Sequence, residues 1–153
     1  METTPTTSQV TTFNFGTASE NANTLISQGY CVNGTIYISG QYAHDTQDAV
    51  VGVGNFEAQV RQTLQNIDKV LAGFHVTKTN IAELVVYLTN PREQAAPLTP
   101  LLQEYLGAHR PAGTVLGTTG LWYPEQLLEI RVVAHLYSSR SDLRVYDMKT
   151  QVH

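Results

Sequence analysis

The spacing of apolar residues changes several times along the chain, and each change marks an element. Residues 10–15 alternate apolar and polar positions and predict a first strand. Residues 16–23 have loop chemistry. Residues 30–32 and 35–39 are β-prone runs on either side of Asn33-Gly34. Both central residues of a type I′ turn need positive φ, which suits this pair, so a hairpin is predicted. Residues 40–54 read as loop. Phe56, Val60, Leu64, Ile67 and Leu71 then recur at three- and four-residue steps, one face of a helix with Asn55 as its cap and Gly73 as its end. Residues 81–89 are β-branched and aromatic and predict a buried strand, stopped by Asn90-Pro91. Thr99-Pro100 has the chemistry of a helix start, Leu102, Tyr105 and Leu106 supply an apolar side, and Gly107 ends the segment. Residues 112–121 predict a strand rich in Thr and Gly. Trp122-Tyr123-Pro124 turns a corner, and residues 127–137 give the strongest strand signal in the chain.

Six strands and two helices in this order predict an α+β domain, a mixed sheet with both helices on one face. Nothing else in the chain covers the other face, so an oligomer in which sheet faces or edges meet is expected. Residues 1–9 are polar and Thr-rich and read as a loose arm, residues 10–137 as the domain, and residues 138–153 as a polar tail. The 153 residues are enough for one core. A 42% hydrophobic and 14% charged composition excludes a disordered chain. The net charge is −4 and the nine Lys and Arg are scattered, which argues against nucleic acid as a partner. The start lacks the pattern of a signal peptide and no apolar run approaches a membrane span. A single Cys31, read as a packed thiol, rules out an intrachain disulfide and suits a reducing, cytoplasmic setting.

The last strand carries the candidate chemistry. Alternation sends Leu128, Ile130, Val132 and Ala134 under the helices and Glu129, Arg131, Val133 and His135 to the other face. Two readings of the mid-strand charges stand side by side. Glu129 and Arg131 form a structural pair or a solvated face, or Glu129 is a carboxylate on a rigid strand, able to orient water or take a proton. Other motifs fail. Gly52-Val53-Gly54 lacks the third glycine of a dinucleotide loop, and the five histidines show no zinc spacing, so no metal or organic cofactor is expected. His44-Asp45 reads as surface loop.

Several segments together carry a resemblance. These are Ile38-Ser39-Gly40-Gln41, the helix with Asn66-Ile67, Val85-Val86-Tyr87-Leu88, Arg110-Pro111-Ala112-Gly113-Thr114, and Pro124 followed by Leu127 through Ala134. In this order and spacing they resemble the Rid/YjgF family over about residues 26–137. The resemblance implies a chorismate-mutase-like fold and a homotrimer with clefts between subunits. Typical members with imine deaminase activity hydrolyse 2-imino or 2-aminoacrylate-type acids to 2-keto acids and ammonia. It implies that Glu129 positions water and that Ser39-Gly40 line the cleft. Three positions depart. The arginine that grips the substrate carboxylate is replaced by Gly113, a tyrosine before Ser-Gln by Ile26, and a cysteine by Val115. Losing such a buried charged partner removes about 2–5 kcal/mol of binding.

The expectation is therefore a cofactor-independent, Rid-like enzyme for a small metabolite. It would perform hydrolysis or proton transfer (deamination, tautomerisation or cyclisation) on an imine, enamine or keto compound, not the usual 2-iminoacrylate. Glu129 is the candidate catalytic residue. Ser39, Gly40, Gly113, Thr114, Arg131, Ile26, Val115, Trp122 and Tyr123 are the candidate substrate-binding residues. Arg131 either replaces the missing cation, similar to 2-aminomuconate deaminase-like members, or neutralises Glu129. Trp122 and Tyr123 either wall the pocket or fill a core or seam. A non-catalytic trimeric binder is the alternative, and a ribonuclease role fits the acidic balance poorly.

Overall fold

The computed structural model describes residues 10–20 and 24–137; the expected arm and tail lie outside them. Six strands form one sheet: β1 (Val10–Phe13), β2 (Gly29–Val32), β3 (Thr35–Gln41), β4 (Ile81–Leu88), β5 (Ala112–Gly117) and β6 (Leu128–His135). Their order is β1-β2-β3-β6-β4-β5, antiparallel except for the parallel β4–β5 pair at one edge. The helices are α1 (Thr17–Glu20), α2 (Phe56–Gly73) and α3 (Pro91–Leu106), with a 3₁₀ turn at Lys78–Asn80. No helix among the described residues is long and apolar enough to cross a membrane.

The β2–β3 hairpin turns at Asn33 and Gly34, with φ of 50° and 79°, as a type I′ turn requires. Asn55 caps α2, its side chain accepting from the N–H of Ala58 at 3.0 Å. Val60, Leu64, Ile67 and Leu71 of α2 and Leu98 and Leu101 of α3 bury against Ile36, Ile38, Leu84, Val86, Leu88, Leu128, Ile130, Val132 and Ala134. Burying each large aliphatic side chain contributes about 1.5–3 kcal/mol, so this one layer of helices on one face of the sheet is the stabilising core. Cys31 lies inside it.

Several boundaries differ from the sequence reading. Residues 16–23 contain the short α1. Helix α3 starts at Pro91, not at Thr99-Pro100. Pro91 at its first turn forfeits only an N–H that has no helical partner, and Gln94 turns its Oε1 back to the N–H of Asn90 at 2.8 Å. Pro97 and Pro100 fall inside the helix on its exposed side, and burial of Leu98 and Leu101 holds the helix through them. Thr99 is not a cap; its hydroxyl donates back to the carbonyl of Ala95. Gly73 is the last residue of α2, but the left-handed residue that follows is His75. Gly73 serves packing, since a Cβ there would overlap the ring of Phe13.

The far face of the sheet has no cover among the described residues. Tyr30 and Tyr37 are 42% and 49% exposed on it, and every residue of β5 is exposed.

Candidate functional site

Glu129 lies on the open face of β6, opposite Tyr87 of β4. On the other side, the β3–β6 ladder slips. Ile38 pairs with Val132 and Gln41 with Ile130, so β3 holds one residue more than β6 across the interval. Such a bulge re-aims the local chain. It brings Gly40 against Glu129 so closely that a Cβ at Gly40 would overlap the carboxylate and lie 2.7 Å from its Cδ. Only glycine leaves room for this carboxylate. Gln126 Nε2 donates to Glu129 Oε2 at 3.2 Å, and the N–H of Tyr123 donates to Gln126 Oε1 at 2.9 Å.

Buried amides fix the surrounding loops. Gln59 Nε2 donates to the carbonyls of Gly52 and Glu125, while its Oε1 accepts from Leu127. Asn66 Nδ2 donates to the carbonyls of Tyr42 and His44. Gln41 Nε2 donates to the carbonyl of Ser39. These are polar groups that burial makes expensive unless bonded; Gln59 and Asn66 tie α2 to the loops above Glu129, and Gln41 braces the bulge within β3.

Tyr42 packs against Tyr123 with ring centroids 5.6 Å apart. Burial is the main force raising the Tyr42 phenol above its ordinary value, and the phenol of Tyr123 and the carboxylates of Asp48 and Glu129 add to it. Tyr42 therefore keeps its proton, and its hydroxyl donates to the carbonyl of Asp48 at 3.3 Å. Next to Tyr123 a groove of about 260 Å³ is lined by Asp48, Ala49, Val50, Val53 and Glu125.

The remaining candidates divide. Ser39 donates its hydroxyl to the carbonyl of Ser27 at 2.7 Å, which ties the bulge to the segment carrying the exposed Ile26. Trp122 is 85% exposed, so a core role for it is excluded within the chain. Arg131 does not pair with Glu129. Its guanidinium lies 3.6 Å from Glu83 on β4, both side chains about half exposed at 48% and 45%. Such an ion pair contributes roughly 0–1 kcal/mol and leaves Glu129 to Gln126.

Gly113 and Val115 are not brought to Glu129. They pair with Leu84 and Val86 and share the helix side of the sheet, and Val115 lines a groove of about 330 Å³ with Leu98, Leu102 and Leu106 of α3. Strand β4 stands between β5 and β6. Thr114, paired with Val85, shares the Glu129 face. The nearest atoms to a Cβ at Gly113 are Leu84 O at 3.5 Å and Leu84 Cδ1 at 3.6 Å, ordinary contacts that admit a side chain.

Sequence reasoning misses Gln126, Tyr42 and His44. His44 is 3% exposed rather than on the surface. It stacks on Phe15, leans on Tyr42, and places Nδ1 2.8 Å from the carbonyl of Asp45 and Nε2 3.3 Å from Gln41 Oε1.

Residues 17–136 match the model of a family described as Endoribonuclease L-PSP. Among solved structures, a Rid-family protein of unknown function, YyfA from Yersinia pestis, is 30% identical with a TM-score of 0.70, over 75% of this chain and 90% of that one. Yeast Mmf1 is 23% identical with a TM-score of 0.74, over 83% and 98% of the two chains. RidA from an Antarctic Psychrobacter is 24% identical with a TM-score of 0.68, over 76% and 92%. The last two likenesses are of fold.

Proposed function

From the premise that the chain belongs to the Endoribonuclease L-PSP family, that of the Rid and YjgF proteins, we propose that it is a cofactor-independent enzyme acting on a small imine, enamine or keto metabolite. Glu129 orients water or accepts a proton. For an imine the balance is simple: water adds across C=N, the C–N bond breaks, and a carbonyl compound and ammonia leave. The observation that carries this reading is the carboxylate itself. It is held on a rigid strand between a bulge glycine and a buried amide.

The site is completed, in this reading, by a second copy of the chain in a homotrimer. Gly113 and Val115 face away from Glu129 within one chain, so a cleft joining them needs two protomers. The open sheet face with Tyr30 and Tyr37 supplies surface for such contact. Gly113 offers no cation for a substrate carboxylate, which favours a larger and less acidic substrate than a 2-iminoacrylate.

The experiment is ammonia release from a panel of imines, run on the wild-type protein and on Glu129→Gln. Turnover that the amide abolishes supports the proposal, and turnover that survives it refutes the role of Glu129. Light scattering of the same samples should give a mass three times that of the 16.9 kDa chain. Metabolite occupying the site without turnover would favour a binding protein instead.

A further inference from the structure

Gln126 is 2% exposed, in the turn before β6, and its side chain is bonded at both ends. An amide has one accepting and one donating end, and the two look alike until their partners are known. Here one partner decides. The N–H of Tyr123 can only donate, so Gln126 Oε1 faces it, at 2.9 Å. The other end is then necessarily the NH₂ group, directed at Glu129 Oε2 at 3.2 Å. The turn is closed a second time by the Gln126 N–H on the carbonyl of Tyr123 at 3.1 Å. On its opposite side the carboxylate is in contact with Gly40, at Oε1.

We infer that Gln126 is the positioning residue for Glu129, holding Oε2 through a charge-assisted hydrogen bond and so fixing the plane in which the carboxylate meets water or substrate. This deepens the proposed function and rests on it. A donor aimed at one carboxylate oxygen fixes the rotation of the carboxyl plane, which packing of a methylene stem alone does not. It also links the carboxylate to the backbone of Tyr123, whose ring lines the neighbouring groove. A group bound there that shifted Tyr123 would turn the carboxylate with it. Misplacing a reacting group by about 1 Å lowers turnover by about 100-fold, so the effect of losing the tether is large enough to read.

Three variants separate positioning from a merely structural role. Gln126→Glu keeps an acceptor for the Tyr123 N–H but sets an oxygen against Glu129. Gln126→Leu removes both bonds. Gln126→Asn keeps the amide on a shorter stem. We expect Gln126→Glu to fold, with kcat lowered about 10- to 100-fold and KM within about threefold. Gln126→Asn should recover part of that loss. A Gln126→Glu protein with wild-type kcat would overturn the inference. A second readout needs no substrate. The side-chain NH₂ signals of Gln126 in a ¹⁵N–¹H spectrum should move upfield when Glu129→Gln removes the charge they face, and their failure to move would equally overturn it. If the wild-type protein turns over no imine, the proposed function fails on its own, while the amide signals still decide whether Gln126 holds Glu129.

Discussion

Gly40→Ala adds one methyl group where the carboxylate now lies. The backbone at Gly40 is not left-handed, so alanine meets no conformational penalty there. By itself the change would stabilise the protein by about 0.4–1 kcal/mol through the unfolded chain. Sterics reverse the sign. The new Cβ would sit 2.7 Å from Glu129 Cδ, while ordinary contact begins at 3.4 Å, so the carboxyl carbon must retreat by at least 0.7 Å. A retreat of that size from Gly40 drives the carboxylate toward Gln126 on its opposite side and distorts the 3.2 Å bond between them. Overpacking and the strained or lost bond together are expected to destabilise by about 1–3 kcal/mol. For a chain of this size that lowers Tm by roughly 3–9 °C. Imine turnover should fall about 100-fold, because Oε1, which the new Cβ would overlap, is displaced by about 1 Å or more. Thermal unfolding by circular dichroism reads the first effect and ammonia release the second. Gly120→Ala is the control, since nothing lies within 4 Å of a Cβ there. A Gly40→Ala protein as active and as stable as wild type would refute the placement of Glu129 against the bulge.

Two further outcomes follow from the same geometry. Gly113→Arg, for which the nearest obstruction is the carbonyl of Leu84 at 3.5 Å, should confer hydrolysis of 2-iminoacrylates that the wild-type protein leaves untouched; no gain in a coupled keto-acid assay would refute the match of this position to the family arginine. Alkaline titration should reveal two reluctant phenols. Burial chiefly raises both Tyr42 and Tyr105, with Asp68 bonded to Tyr105 adding to the second. In the unfolded chain both ionise near pH 10, whereas the folded chain keeps their protons, so the stability they support is intact below pH 10 and declines as pH rises above it. Denaturant midpoints for Tyr42→Phe with Tyr105→Phe should decline less steeply above pH 10 than those of the wild type, and parallel curves would count against the raised values.

Much of this architecture is legible in the sequence where a single physical demand dominates. Asn33-Gly34 announces its turn because few other pairs accept two positive φ values. The α2 stripe and the alternation in β6 are legible because burial selects one face, and that alternation already singles out Glu129. Legibility fails where tertiary burial overrules local preference. Pro97 and Pro100 argue against a helix through residues 91–106, yet Leu98 and Leu101 are buried only if it continues. His44 looks like surface because its neighbours are polar, while the rings that enclose it include one twenty-nine residues nearer the N-terminus, at Phe15. Gln126 has no signature at all; a glutamine in a turn is ordinary until the register of β6 places a carboxylate beside it. The side on which Gly113 and Val115 stand follows from the β4–β5 register rather than from the motif containing them.

Strand β5 ends the sheet with one flank of backbone donors and acceptors unpaired among the described residues, and between Ala112 and Gly117 there is no charged side chain to repel a visitor. Such a rim is a template on which another extended strand would pair. Concentrated refolding is therefore expected to promote strand-to-strand stacking, and Leu116→Lys is a direct way to discourage it during purification.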